Sequence, residues 1–205
     1  MISLNNINKS YKNKKLFNNY SLDINDGDFI AITGKSGSGK TTLLNMIGLL
    51  ENFDSGKIKI DGQDNFTKKD RLMIHRNKFG FLFQNYALIE NKTVKDNLKI
   101  ALEYKDKSKV KEIKNVLESV GLKGFEKRKI FQLSGGEQQR VALARVILKN
   151  PKYIFADEPT GNLDIENRDI VFNHLKKLNQ EGKTVIFVTH DNNLASMAKK
   201  SIYLD

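Results

Sequence analysis

Cysteine is absent from the 205 residues. Disulfides and cysteine-ligated metal centres are thereby excluded, which fits a reducing compartment. Long apolar runs are absent too. The longest, such as Leu43 to Leu50, falls far short of the roughly 18 residues that mark a membrane-spanning helix. The N-terminus shows no basic segment followed by an apolar one, so no secretory signal is read there. Without one, the Asn-x-Ser/Thr triplets at Asn8, Asn65 and Asn91 are chance matches to a glycosylation acceptor. No internal repeat, low-complexity block or Pro-rich linker divides the chain. No Asn-Lys-x-Asp motif for reading guanine occurs, which argues against a GTPase. What is present, 39% hydrophobic and 29% charged residues, is the composition of a globular protein and most simply one domain.

Charge is unbalanced. Lys and Arg number 35 against 24 Asp and Glu, a net +11. An anionic partner such as a nucleotide, a nucleic acid or the inner membrane face would suit it. Dispersal of the lysines suits equally a Lys- and Asn-rich composition on a solvated surface.

Three short apolar runs, Phe29 to Thr33, Tyr153 to Ala156 and Thr184 to Thr189, are rich in strand formers and mostly apolar throughout. That pattern predicts strands buried on both faces. Helical patterns lie between them, so the fold class is α/β with a mostly parallel sheet. Each run ends in chemistry, at Gly34, Asp157 and His190. Ligands of such sheets sit off the carboxyl ends of the strands, so these three loops should share one edge. Ile2, Leu4 and Ile7, then Leu22 and Ile24, then Ile58 and Ile60 suggest antiparallel strands beside the main sheet. Residues 85–147 read as a small helical insertion. Val110, Ile113, Val116, Leu117 and Val120 recur at helical spacing there, with Gly121 as the cap.

Gly34-Lys35-Ser36-Gly37-Ser38-Gly39-Lys40-Thr41 follows a predicted strand and precedes a predicted helix, Thr42 to Leu50. This is the context a phosphate-binding loop requires. Its glycines let successive N–H groups face one anion. The helix N-terminus adds its positive end. Lys40 can neutralise β- and γ-phosphates and Thr41 can offer its hydroxyl to Mg²⁺. The second apolar strand ends in two carboxylates, Asp157 and Glu158. The first can hold Mg²⁺, and the second can polarise a water for attack on the γ-phosphate. Of the histidines, His75 and His174 read as surface or satisfied core residues; His190 differs because it ends the third strand.

Leu133-Ser134-Gly135-Gly136-Glu137-Gln138-Gln139-Arg140 has the Ser-x-x-Glu spacing of a capping box. A cap does not explain two glycines in a first helical turn, where each lowers helix stability. Bare backbone at a helix N-terminus suits close approach to a phosphate, and both readings can hold together.

This octet resembles the signature of ABC (ATP-binding cassette) ATPases. The other family elements follow in order: Gln84 in Phe81-Leu82-Phe83-Gln84 resembles the Q-loop, Asn162-Leu163-Asp164 the D-loop, and His190 the switch histidine. Tyr11 stands where the family places an aromatic residue that stacks on adenine, with Phe17 as its nearest competitor. The resemblance covers nearly the whole chain. It implies the ABC form of the P-loop NTPase fold: a mostly parallel sheet, an antiparallel β subdomain and a helical subdomain. One domain would span 1–205, with 1–84 and 148–205 as the catalytic core and about 85–147 as the helical part.

The resemblance also implies site roles. ATP would be bound by Tyr11, Gly34, Lys35, Ser36, Gly37, Ser38, Gly39, Lys40, Thr41 and Thr42, and Mg²⁺ by Thr41, Gln84 and Asp157. Catalysis would involve Glu158 as general base with His190, Lys40 and Gln84. Ser134, Gly135, Gly136 and Glu137 would act in trans on the nucleotide of a second cassette, beside the D-loop Asp164. The implied partners are that second ATPase subunit and a transmembrane permease, with no nucleic acid, at the cytoplasmic face of the cell membrane. Tyr86, Leu88 and Ile89 are expected to line the permease groove.

Pro159 to Asp164, and Leu44 to Leu50 followed by Ser55-Gly56, resemble the branch of macrolide-export, lipoprotein-release and FtsE-type ATPases. Short Lys- and Asn-rich cassettes also resemble bacteriocin or antimicrobial-peptide exporters. Export of a peptide, drug or lipid-type cargo is therefore expected. The alternatives are an FtsE-type membrane ATPase that transports nothing and a soluble non-transport ABC ATPase. The chain stops soon after Ser201 to Asp205, so no regulatory C-terminal domain is expected.

Overall fold

The computed structural model describes residues 1–12, 14–102, 107–161 and 163–205. Two sheets organise them. The first is antiparallel: β1 (Ile2–Tyr11) lies between β2 (Lys14–Ile24) and β4 (Ser55–Ile60). Its sequence signal contains a phase error, since Leu4 and Ile7 are three apart. A bulge resolves it. Leu4 pairs with Leu22 and Ile7 with Tyr20, so β1 spends one residue more than β2. Asn6 sits in the bulge at φ 50, and Ile7 returns to the buried face.

The second sheet is parallel, in the order β5 (Phe79–Leu82), β6 (Tyr153–Asp157), β7 (Thr184–Val188), β3 (Phe29–Gly34), β8 (Lys200–Leu204). Its inner strands are buried on both faces and divide their residues between two cores. Phe29, Ala31, Ile154, Ala156, Val185 and Phe187 face one cluster. Ile30, Ile32, Tyr153, Phe155, Ile186 and Val188 face the other, shared with the antiparallel sheet. This is the period-two division expected of a sheet covered on both sides. The fold expected from sequence, a P-loop ABC cassette fold, is the fold observed.

Seven helices are described: α1 (Lys40–Ile47), α2 (Lys68–Asn77), α3 (Val94–Ile100), α4 (Ile113–Ser119), α5 (Gly135–Lys149), α6 (Ile165–Gln180) and α7 (Asn192–Ser196). α1 starts two residues before its expected position, because Lys40 and Thr41 already belong to the first turn. It stops at Gly48, and Leu49 at φ 55 turns the chain away. Only the second half of the predicted 110–120 pattern is α-helical; Lys107–Glu112 is a 3-10 segment. Gly121 lies one residue beyond the C-cap, in a Schellman arrangement: Leu122 N–H donates to Leu117 O at 2.8 Å and Gly121 N–H to Glu118 O at 3.1 Å. No described helix is long and apolar enough to cross a membrane.

Candidate active site

The carboxyl ends of β3, β6 and β7 are adjacent, and the loops that leave them meet. At the end of β3, Gly34 is held at φ 139, and a β-carbon there would lie 2.0 Å from the Leu204 carbonyl of β8. Only glycine permits both the dihedral and the approach. The loop then curls around Lys40, whose Nζ donates to Gly34 O at 2.9 Å and Lys35 O at 2.8 Å. Gly39, at φ 98, is the N-cap of α1 and offers no side-chain acceptor. The first N–H groups of α1 are thus left for an anion rather than spent on a cap. Tyr11, Leu16, Ser36, Gly37, Gly39, Lys40, Thr41, Thr42, Glu158 and Val188 line the resulting cavity of about 360 Å³.

Asp157, at the end of β6, is bonded to the first turn of α1. Thr41 Oγ1 donates to its Oδ1 at 3.0 Å. Burial raises the carboxyl pKa and the neighbouring Glu158 charge adds to this, against the Thr41 hydrogen bond and the Lys40 charge. Gln84, in the loop after β5, lines a space with Phe83, Asn85, Tyr86 and Asp157. Thr41, Asp157 and Gln84 form a set of hard oxygen donors, and no cluster of three or more metal-ligating His, Cys, Asp or Glu exists among the described residues. That set fits Mg²⁺, which is usually held by few protein ligands and takes its remaining oxygens from phosphate and water.

Glu158 is held in the left-handed region, at φ 44. Its N–H donates to Val188 O at 3.2 Å, and its Oε2 meets His190 Nδ1 at 2.9 Å. The carboxylate is largely enclosed while the imidazole is open, with side-chain exposures of 16% and 70%. A carboxylate turned toward the loop cavity and backed by an exposed histidine is suited to hold and orient a water.

Tyr11 is exposed at the end of β1, where its hydroxyl bonds Glu51 and Lys9 Nζ lies 4.6 Å from its ring centroid. Phe17, its competitor, is only 4% exposed and belongs to the core. His75 Nε2 meets Gly48 O at 2.8 Å and His174 Nε2 meets Ser119 O at 3.0 Å, so both are satisfied structural residues.

Ser134, Gly135, Gly136 and Glu137 are not among the residues lining the loop cavity. The capping box is present: Ser134 N–H donates to Glu137 Oε2 at 2.7 Å, and Glu137 N–H to Ser134 Oγ at 3.3 Å. The glycines also have an internal reason. A β-carbon on Gly135 would stand 2.9 Å from the Tyr86 hydroxyl oxygen, and one on Gly136 would stand 2.7 Å from Asn167 Cγ. Asp164 caps α6, accepting from Asn167 N–H at 2.8 Å and Asn167 Nδ2 at 2.6 Å, and these bonds lower its pKa. Asn162 lies outside the described residues.

Three polar residues on α5 are given no role of their own by the sequence, although two of them stand in the Leu133 to Arg140 octet. Gln139 donates to Pro159 O, Arg140 Nη1 donates to the side-chain Oδ1 of Asn167, and Arg145 donates to Tyr86 O and Ala87 O. The available signal was their placement within or beside the apolar stretch Val141 to Leu148 of that helix. A groove of about 450 Å³ is lined by Leu72, Phe81, Phe83, Ala87, Ile100 and Arg145, among others. Of the residues expected at a permease groove, Tyr86 and Leu88 pack partly buried against the core and Ile89 is exposed.

Residues 17–161 match the ABC transporter family. The lipoprotein-releasing system ATP-binding protein LolD of Leptospira interrogans is 43% identical over 210 residues, 99% of this chain and 88% of that protein. A macrolide export ATP-binding/permease protein, MacB of Mannheimia succiniciproducens, is 44% identical over 189 residues, covering 90% of this chain but 29% of that longer protein. Among solved structures, the dimeric post-hydrolysis state of the ATP-binding cassette MJ0796 of Methanocaldococcus jannaschii, bound to ADP and Pi, superposes with a TM-score of 0.91 at 38% identity, over 100% of this chain and 94% of that one. The chain therefore belongs to the ABC transporter family, as one of its ATP-binding, ATP-hydrolysing cassettes.

Proposed function

We propose that this chain energises an exporter of peptide, drug or lipid-type cargo from the cytoplasmic face of the cell membrane. The observation that carries the hydrolytic part is the pair of contacts across one sheet edge, Thr41 to Asp157 and Glu158 to His190. The cargo class is supported by the relatives, which are named for lipoprotein release and macrolide export. Residues 1–205 form one ABC domain in this reading, with 1–84 and 148–205 as catalytic core and 85–147 as helical subdomain.

ATP binds with adenine on Tyr11 and its phosphates along Gly34 to Thr42. Lys40 leaves its loop carbonyls to neutralise the β- and γ-phosphates. Thr41, Asp157 and Gln84 would hold Mg²⁺, which when bound supplies charge neutralisation to the phosphate oxygens. Glu158 takes a proton from the attacking water, and His190 holds the carboxylate from outside and contacts the γ-phosphate. A second copy of the chain completes the site with Ser134, Gly135, Gly136 and Glu137, near Asp164. The dimeric state of the solved relative supports this arrangement. The groove at Leu72, Phe81, Ala87 and Ile100 receives an apolar segment of the transmembrane permease; Leu72 and Ile100 are 46% and 44% exposed, high for side chains of this kind.

The test is Glu158→Gln. The variant should bind ATP as tightly as wild type, lose about 10²–10⁴-fold in turnover, and elute as an ATP-dependent dimer in size-exclusion chromatography. Wild-type turnover in this variant would remove Glu158 as the base.

A further inference from the structure

Gln139 lies on the buried face of α5 and is 1% exposed. Its Nε2 donates to the Pro159 carbonyl at 2.6 Å, while its Oε1 is buried with no hydrogen-bond partner among the described residues. An amide whose oxygen is left unmet gives back part of what its one hydrogen bond contributes to stability. What glutamine supplies here, and an apolar side chain of similar volume could not, is a donor to the buried Pro159 carbonyl.

Pro159 follows Glu158, whose backbone sits in the left-handed region. A non-glycine residue stays there only when its surroundings over-determine it. Three bonds do so: Glu158 N–H to Val188 O at 3.2 Å, Gly161 N–H to Glu158 O at 3.2 Å, and Gln139 Nε2 to Pro159 O. The first two are backbone bonds that any side chain would allow. The third is a side-chain clamp, and Pro159 has no N–H with which to make another. Gln139 also borders a small cavity with Gln84, Tyr86, Glu158 and Gly161. The helix that begins at the signature is thus bonded to the peptide beside the hydrolytic carboxylate of its own chain.

We propose that Gln139 is a positioning residue for ATP hydrolysis, holding the Glu158–Pro159 turn so that the carboxylate faces the γ-phosphate. This rests on Glu158 being the general base. The test compares Gln139→Leu and Gln139→Glu with the wild-type full-length chain in steady-state ATPase kinetics, ATP titration and thermal unfolding. It also places Gln139→Leu in the Glu158→Gln background.

Gln139→Leu should melt close to wild type, because the unpaired oxygen it removes offsets the buried Pro159 carbonyl it leaves without a donor. Its ATP affinity should stay within about twofold while kcat falls about 10–100-fold, the scale of a misplaced catalytic group. In the Glu158→Gln background it should leave the residual rate unchanged, because the group it positions is already gone. Gln139→Glu points an acceptor at Pro159 O, so its rate relative to wild type should rise as pH falls and a protonated carboxyl donates again; the leucine variant should show no such rise. Wild-type kcat in Gln139→Leu overturns the proposal. So does a kcat loss matched by a fall in melting temperature, or one of equal factor in the Glu158→Gln background. An inert Glu158→Gln beside a fully active Gln139→Leu overturns this proposal alone, whereas an active Glu158→Gln overturns the base assignment and this proposal with it.

Discussion

Replacing Arg145 with methionine tests how the loop after Gln84 is held. Tyr86 and Ala87 are consecutive left-handed residues, at φ 63 and 47. Each such residue costs about 1–2 kcal/mol, so the pair costs about 2–4 kcal/mol. Opposing this, Arg145 Nη2 donates to Tyr86 O at 2.9 Å and Nη1 to Ala87 O. Hydrogen bonds from a charged donor contribute about 1.5–3 kcal/mol each. Burial of the guanidinium, which lowers its pKa, takes back part of that sum. The loop geometry therefore persists by a margin of about 1 kcal/mol, equivalent to a roughly fivefold population ratio. Amide hydrogen exchange reads this margin directly, because Tyr86 N–H bonds Phe83 O at 3.0 Å and Ala87 N–H bonds Asn85 O at 2.7 Å. In Arg145→Met those two amides should exchange about fivefold faster, with α5 and the sheet unchanged. Arg145→Lys should fall between, since one ammonium cannot fork to two carbonyls as a guanidinium does. Unchanged exchange at Tyr86 and Ala87, or an equal rise across α5, would refute the reasoning.

Other expectations are as direct. Lys40→Ala should abolish ATP binding in a calorimetric titration, since the cavity then loses the cation that its loop carbonyls hold ready. Tyr11→Ala should weaken ATP binding by roughly tenfold, the lower end of a base–aromatic stack of about 1–3 kcal/mol, while Tyr11→Phe should bind as wild type. Asp61 gives a pH test. Burial would raise its pKa, but hydrogen bonds from Lys152 Nζ at 2.7 Å, Lys78 Nζ at 2.5 Å and Tyr153 Oη at 2.6 Å outweigh this and lower it strongly. A depressed carboxylate stabilises the fold above its unfolded value of about 3.9 and loses that contribution as pH falls toward the folded value. Urea unfolding should therefore show wild-type stability dropping below about pH 4, with a shallower drop and lower neutral-pH stability in Asp61→Asn.

How much of this was legible in the sequence depends on how local each feature is. The phosphate loop, the strand ending in Asp157 and Glu158, and the third strand ending at His190 each put their chemistry next to an apolar run. Burial of the run then fixes where the chemistry lands. Two strands of the same sheet escaped notice for physical reasons. β5 is four residues long and contains Gly80. β8 is an edge strand whose Lys200, Ser201 and Tyr203 face solvent, so it lacks the continuous apolar signal of its neighbours. The antiparallel sheet was visible in spite of its phase error, because the bulge at Asn6 shifts the register without changing which residues are apolar.

The site's supporting contacts were hidden for a different reason. Gln139, Arg140 and Arg145 bond to partners 20, 27 and 58 or 59 residues away. No periodicity in one sequence encodes such separations. A helix pattern could reveal only that polar groups stood where burial was expected, among Val141, Ala142, Leu143 and Val146. Each exception then needs an acceptor. In all three cases it belongs to a loop that leaves a strand or opens a helix: Pro159 after β6, Asn167 in the first turn of α6, and Tyr86 with Ala87 after β5. Two of those loops contain non-glycine residues at positive φ, Glu158 and the pair Tyr86–Ala87. Backbone that could not hold itself in that conformation is bonded by side chains from α5. Interrupted apolar periodicity on that helix was therefore the trace of the site in a stretch that otherwise reads as core.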